Sequence, residues 1–287
     1  MKKLAVILGV LLALGIAGFF GLRAYVAGMK TKPVLYTLEG MENAERQRDI
    51  VYRKDGPVEL RLDVYRPAGA SEPAPAVLLI HGGGPEFFIR DAKDWRLFET
   101  WAQLLTARGL VGVTFNHRGS SDYAGLDVEA ADVQAAVDYV RAHAAELGVD
   151  PDRLALWAFS AGGVYLAGAV RDRPDYLKAL VGYYAVMDLD AVDSLLAKTV
   201  DDAMRARHSP SKQLGQGERT VPPTLLVKAI KDRAMINQSI DAFVQAAALA
   251  GQAVQVWSHD EGHHGFDVMD NDAQTRDLIR RSLDWVV

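Results

Sequence analysis

The sequence predicts an α/β fold, a doubly wound and mostly parallel sheet with helices on both faces. Three observations carry that expectation. Short apolar runs such as Ala76–Ile80 read as strands buried on both faces, as in a parallel sheet. Amphipathic stretches stand between such runs, Asp127–Leu147 being the clearest. The two kinds alternate from residue 49 to the end of the 287-residue chain, the order that a doubly wound sheet requires.

Residues 1–28 stand apart from that pattern. Lys2 and Lys3 precede an uncharged run of 19 residues, Leu4–Leu22, close to the ~20 that a helix needs to cross a bilayer. Read as an uncleaved membrane anchor, the run exports the rest of the chain if the two lysines stay inside. The rival reading is a cleaved signal segment, which leaves the domain secreted or periplasmic. Against cleavage, the run is long for a signal core, and Tyr25 spoils the small-x-small pattern ahead of Ala27. Residues 29–48 are polar and mixed in charge and read as a connector.

The elements of the domain at 49–287 follow in order. Ile50–Arg53 and Val58–Tyr65 read as two strands about the turn Asp55-Gly56-Pro57. In the second, Leu60, Leu62 and Val64 share one face and Glu59, Arg61 and Asp63 the other, which suits an antiparallel edge hairpin with one solvated face. After the strand Ala76–Ile80, a helix over Asp91–Arg108 stops at Gly109, a residue suited to a helix C-terminus. Leu110–Phe115 is the next strand. The helix Asp127–Leu147 gathers Val133, Ala136, Val137 and Val140 on one side, and Gly148 ends it. The strand Arg153–Phe159 leads into a helix Ala161–Val170. Strands Leu180–Val186 and Thr224–Ile230 follow, then a helix Ile240–Ala250 ended by Gly251. A last strand Ala253–Trp257 and a closing helix Ala273–Val287 complete the domain. Residues 188–222 break the rhythm. They are long and polar and carry Pro210, Pro222 and Pro223, so they read either as a lid or pocket wall or as a plain surface helix and loop.

Composition narrows the chemistry. The net charge is −5, with no cluster of Lys and Arg to suit a nucleic-acid partner. The chain has no cysteine, which excludes disulfides, a thiolate nucleophile and thiolate metal sites. What remains is a set of serine, histidine, aspartate and glycine residues placed after strands.

Ser160 stands in Ala158-Phe-Ser160-Ala-Gly162, between a strand and a helix. A nucleophile on so sharp a turn needs small neighbours, because bulky ones clash across it. The helix start also brings amides and positive potential beside the hydroxyl. The plainer reading is a serine N-cap. His81-Gly82-Gly83-Gly84 follows a buried strand, and its glycines let the backbone curl against a ligand. In acyl transfer the amides of Gly82 or Gly83, with that of Ala161, would hold the oxyanion; the alternative is a flexible turn. His81 itself reads as structural. The base belongs near the chain end, at His263 or His264. His264 is chosen because Gly265 and Phe266 directly follow it. The acid belongs between serine and base, after a strand. Asp232 meets that condition, Asp188 is the second candidate, and a surface charge cluster with Lys231 and Arg233 is the plain alternative. Phe87, Phe88, Tyr184 and Met187 could wall an apolar pocket or simply pack.

The ordered set resembles the α/β-hydrolase superfamily, and within it esterases similar to hormone-sensitive lipase and dienelactone hydrolase. The resemblance runs from about residue 49 to the end. It rests on His81-Gly-Gly-Gly84, Asn116-His-Arg-Gly119, Ser160 in its turn, Pro222-Pro-Thr-Leu-Leu226 leading to Asp232, and His264-Gly-Phe266. It implies an eight-stranded sheet with the first strands antiparallel, no cofactor or metal, and hydrolysis of a small-molecule ester through an acyl-enzyme. Two departures stand out: Ala158 in place of glycine, and Pro85 where that branch often has an aromatic residue. Two other functions fit the same residues, a serine peptidase or acyl-peptide hydrolase and a non-catalytic, membrane-anchored binding protein.

Overall fold

The structure is a computed structural model. It describes residues 28–84, 86–120, 123–192, 199–215 and 219–287, apart from the side chain of Phe87. The expected anchor or signal segment, save Gly28, lies outside the described residues, as do Pro85 and parts of the candidate lid (193–198 and 216–218). No helix among the described residues is long and apolar enough to cross a membrane.

Eight strands form one sheet: β1 (Glu45–Asp55), β2 (Val58–Arg66), β3 (Ala74–Ile80), β4 (Val111–Phe115), β5 (Val149–Phe159), β6 (Leu177–Tyr183), β7 (Thr224–Ala229) and β8 (Val254–His259). Their order is β1-β2-β4-β3-β5-β6-β7-β8. β2 runs antiparallel to both of its neighbours, and the other pairs are parallel. This is the eight-stranded, mostly parallel sheet that the resemblance implied, with its antiparallel start. The apolar run in β3 is buried along its length, Ala76 to Ile80 being at most 1% exposed. Helices on both faces supply that cover.

The core links the sheet to the carboxyl ends of its strands. Trp101, on the helix Arg96–Thr106, packs on Trp157 of β5 with ring centroids 4.5 Å apart. The same indole donates from Nε1 to Asp267 at 2.9 Å, so this helix braces the loop after β8.

Several expectations need correction. The face of β2 that carries Glu59, Arg61 and Asp63 is solvated only in part: Glu59 and Arg61 are exposed, but Asp63 is fully buried. It accepts from Arg46 Nη2 at 2.6 Å, Lys93 Nζ at 2.9 Å and the Asp49 amide at 2.8 Å. Alternation read correctly as a strand could not show that β2 lies inside the sheet, nor that residues 92–95 fold over it. A buried carboxylate with this many donors is tolerated; one without them is not. β1 starts at Glu45, ahead of the expected Ile50, and a bulge with Asp49 at φ 58° offsets its register. Residues expected to be connector also touch the body. Val34 and Met41 are buried, and the Leu35 amide donates to the Asp267 carbonyl at 2.8 Å.

The helix expected at 91–108 is a 3₁₀ turn, Ala92–Asp94, followed by Arg96–Thr106, with extended Trp95 between them. The helix expected at 127–147 is Leu126–Ala142 plus a short turn Ala144–Leu147. The helix Ala234–Leu249 starts a turn and a half before the expected Ile240. Its buried Ile236, Ser239, Ile240 and Phe243 keep helical spacing, but Asn237-Gln-Ser239 looked like loop. β6 sits three residues earlier than expected, so Tyr184–Met187 lie past its end, where the Val186 amide reaches the Ser160 carbonyl.

Candidate active site

The turn after β5 is built around Ser160, which adopts φ 54° in the left-handed region. A non-glycine residue there is strained, and the neighbours hold it in place. The Val186 amide donates to the Ser160 carbonyl at 2.8 Å. A Cβ at Gly162 would lie 2.6 Å from the His81 carbonyl oxygen, and one at Gly163 would lie 2.5 Å from that of Val186. The two glycines therefore let the turn nest between the end of β3 and the loop after β6. Ala158, the departure from the G-x-S-x-G pattern, lies fully buried in β5, paired with Ile80 on one side and Gly182 on the other.

Two loops bring the partners. Asp232 follows β7, and His264 follows β8. His264 Nε2 lies 2.9 Å from Ser160 Oγ, and His264 Nδ1 lies 2.6 Å from Asp232 Oδ2. An ionised carboxylate only accepts, so Nδ1 carries the proton and Nε2 is left to accept from the serine hydroxyl. The Asp232 side chain is wholly buried and its other oxygen takes the Arg233 amide at 2.6 Å. Gly265, at φ 75°, turns the chain sharply after the histidine.

Behind His264 stands Tyr184, its ring 4.8 Å from the imidazole. The phenol donates to Asp267 Oδ1 at 2.7 Å. Burial pushes the Asp267 carboxyl above the usual carboxylate range and the Tyr184 phenol well above its own. Trp101, Tyr184 and the Leu35 amide thus all converge on a residue three positions after the imidazole.

The side of Ser160 that faces the glycines is as tightly made. A Cβ at Gly82 would lie 3.0 Å from Ser160 Cβ, and one at Gly83 would lie 3.2 Å from Ala161 Cβ. Glycine backbone therefore lies directly against the turn at Ser160. Two buried histidines brace it. His81 and His117 stack with ring centroids 3.6 Å apart. His81 Nδ1 donates to the Gly82 carbonyl at 2.8 Å, and its Nε2 accepts the His117 amide at 3.3 Å. His117 comes from Asn116-His-Arg-Gly119, which the fold places beside His81 and the three glycines.

Burial holds both imidazoles neutral, pushing His81 well below its ordinary 6.5 and His117 below it too. The unfolded chain then binds their protons more readily, so this contribution to stability is present above about pH 6.5 and is lost as pH falls below it. Thermal unfolding of the wild type should therefore drop between pH 7.5 and 5.5. His81→Gln should unfold at a lower temperature at pH 7.5 but lose less over that interval; an equal loss would show that the pair does not set the slope.

The cleft beside Ser160 is small, about 150 Å³. Its walls are Tyr123, Ser120, Val186, Arg233, Met235 and Ile236, with Gly83, Gly84 and Ala161 as its floor. Of the expected pocket residues, the three with described side chains, Phe88, Tyr184 and Met187, do not border it. Met187 is fully buried, Tyr184 stands behind the histidine, and Phe88 packs on Trp95 with centroids 4.6 Å apart. The Phe87 side chain lies outside the described residues. The real walls come from the start of the helix at Ala234 and from the loop after β4, whose positions depend on element ends that the sequence blurs. No described residue of 188–222 lines the cleft. Asp188, the second candidate acid, instead accepts from the Ser211 hydroxyl and the Asp190 amide. His263 is exposed and bonded to Asp270. A larger hollow of about 360 Å³ lies between the helices Leu126–Ala142 and Ala167–Asp172, but no serine lines it.

Comparison with known proteins follows the same lines. The family described as BD-FAE matches residues 62–244. Carboxylesterase NlhH of Mycobacterium tuberculosis is 30% identical over 226 residues, covering 73% of this chain and 66% of that protein. Esterase LipC of the same organism is 24% identical over 268 residues, or 84% of this chain and 64% of that protein. The chain thus spans slightly less than two thirds of the length of these relatives. Among solved structures, esterase 2 of Thermogutta terrifontis phosphoramylated by tabun aligns with a TM-score of 0.65 and 25% identity, over 86% of this chain and 96% of that one. A truncated carbohydrate esterase from gut microbiota aligns at 0.69 with 19% identity, over 89% and 98%, a likeness of fold. With the family match spanning most of the sheet and both sides of Ser160, the chain belongs to the BD-FAE family of α/β-hydrolase-fold proteins.

Proposed function

We propose that this chain is a serine hydrolase of carboxylic esters that works through an acyl-enzyme. The observation that carries the reading is the unbroken line from Ser160 Oγ through His264 to a buried Asp232, at 2.9 and 2.6 Å. His264 Nε2 takes the serine proton as Oγ attacks the ester carbonyl. The tetrahedral oxygen gains its charge beside the backbone of Gly82, Gly83 and Ala161, where preorganised amides lower the barrier. His264 then gives the proton to the departing alcohol, and later takes one from the water that releases the acid. Asp232 fixes the imidazole's tautomer and stabilises its cation.

The relatives named as a carboxylesterase and an esterase favour esters over amides as substrates. The small cleft beside Ser160, about 150 Å³, supports a short acyl group. The test is hydrolysis of p-nitrophenyl esters of graded length beside a matching anilide. The expected result is kcat/KM for acetate to butyrate about tenfold or more above octanoate, with the anilide slower still. Faster anilide cleavage would favour the peptidase reading, and no turnover of any ester would end the assignment.

The run Leu4–Leu22 behind Lys2 and Lys3 supports an exported domain held at a membrane by its N-terminal segment. Full-length protein should then stay with membranes through a carbonate wash; release into the wash would argue for cleavage.

A further inference from the structure

We propose that Arg233 is a specificity residue that selects esters bearing an anionic group, a carboxylate in the first place, on the alcohol side of the scissile bond. The inference rests on the ester-hydrolase reading and adds a substrate class to it.

Arg233 lines the cleft with its side chain about half exposed, at 56%. Its Nη2 lies 3.4 Å from His264 Nε2, the same nitrogen that faces Ser160 Oγ at 2.9 Å. The guanidinium is thus two hydrogen-bond lengths from the nucleophile. Nε2 is the atom that hands a proton to the departing alcohol, so a group beside it stands on the leaving-group side.

Among the described residues the charge of Arg233 is met only loosely. Among the described residues its nearest carboxylate is Asp232, with Nε to Oδ1 at 3.7 Å, beyond hydrogen-bonding distance. That carboxylate already serves His264 and the Arg233 amide. The neighbouring cation, Lys231, is paired with Glu261 and does not line the cleft. The remaining walls are Tyr123, Ser120, Val186, Met235 and Ile236, which bring no side-chain charge. A guanidinium in a cleft whose other described walls carry no charge attracts an anion and binds a carboxylate through paired N–H donors.

The present contact also has a cost that a substrate removes. When His264 becomes an imidazolium during turnover, a guanidinium at 3.4 Å from Nε2 opposes it. A carboxylate on the alcohol draws Arg233 toward itself and neutralises it, which eases the protonation of His264. A neutral alcohol leaves the opposition in place. Selectivity therefore follows from binding and from the proton transfer together.

The test compares 3-acetoxybenzoate with 3-acetoxybenzamide, a neutral partner of the same shape, and reads phenol release in wild type, Arg233→Gln and Arg233→Lys. The quantity is the ratio of kcat/KM for the anion to that for the amide within each protein, which is independent of any change in basal rate. In the wild type at low salt the ratio should be about 10 to 100, and it should shrink as salt is added. Arg233→Gln should bring the ratio down by about that same factor, and Arg233→Lys should keep part of it. A wild-type ratio at or below that of Arg233→Gln would overturn the proposal. So would a preference of the same size for p-nitrophenyl hemiglutarate over the neutral valerate, which would move the anion to the acyl side. Failure of both acetoxy compounds and of p-nitrophenyl acetate in the wild type would instead strike the hydrolase reading itself.

Discussion

Ser160→Ala should lower kcat for p-nitrophenyl acetate by on the order of 10⁶, down to the residue of catalysis that oxyanion contacts and binding supply. The size follows from geometry. Among the described residues one hydroxyl, that of Ser160, lies within reach of the imidazole that Asp232 orients, at 2.9 Å. Without it there is no acyl-enzyme, and water must attack directly. The substitution removes one oxygen and leaves the backbone at φ 54° as strained as before, so melting temperature and near-ultraviolet circular dichroism should be nearly unchanged. A folded variant that keeps a tenth of the wild-type rate would mean that the nucleophile is elsewhere. His264→Ala should fall by a similar factor, and the double variant by little more, because the two residues act as one unit.

Asp232→Asn is the second large effect, expected at about 10⁴ in kcat. Asparagine fills the same buried space and can still accept the Arg233 amide. Its amide nitrogen, facing His264 Nδ1, donates where the carboxylate accepted. The imidazole then settles into the tautomer with a proton on Nε2, which can no longer take one from Ser160. The imidazolium also loses its counter-charge. Asp188→Asn provides the contrast. Its carboxylate serves Ser211 and Asp190, so that variant should change kcat by no more than a few-fold while lowering stability. Equal losses in the two variants would mean that the acid has been misassigned.

The sheet was legible because its strands are buried on both faces and so become apolar runs that need no tertiary information, as in Ala76–Ile80. The nucleophile turn was legible for a different reason: packing as close as Gly162 on the His81 carbonyl allows almost no other residue, so the constraint is written in the sequence. Asp232 and His264 were found from their place after β7 and β8, since such loops meet at one end of a parallel sheet.

What stayed hidden depends on contacts between distant segments. Asp63 looked like a solvent-facing residue because Lys93, its buried partner, comes from a later loop. The cleft walls Tyr123, Met235 and Ile236 lie at element boundaries, and an error of one helical turn there moves a side chain into or out of the site. Tyr184 and Met187 were read as pocket residues for being apolar and close in sequence to β6. The loop after that strand turns them inward, one against His264 and one into the core. The brace from Leu35 to Asp267 joins the two ends of the domain and leaves no local pattern at all.

The convergence of hydroxyl, imidazole and carboxylate is tested most directly by mapping the adduct that a fluorophosphonate leaves on the protein, by peptide mass spectrometry. The expected result is one phosphonyl group per chain, on Ser160, formed far more slowly in His264→Ala and Asp232→Asn. An unlabelled wild type, or an adduct on any other serine, would contradict it.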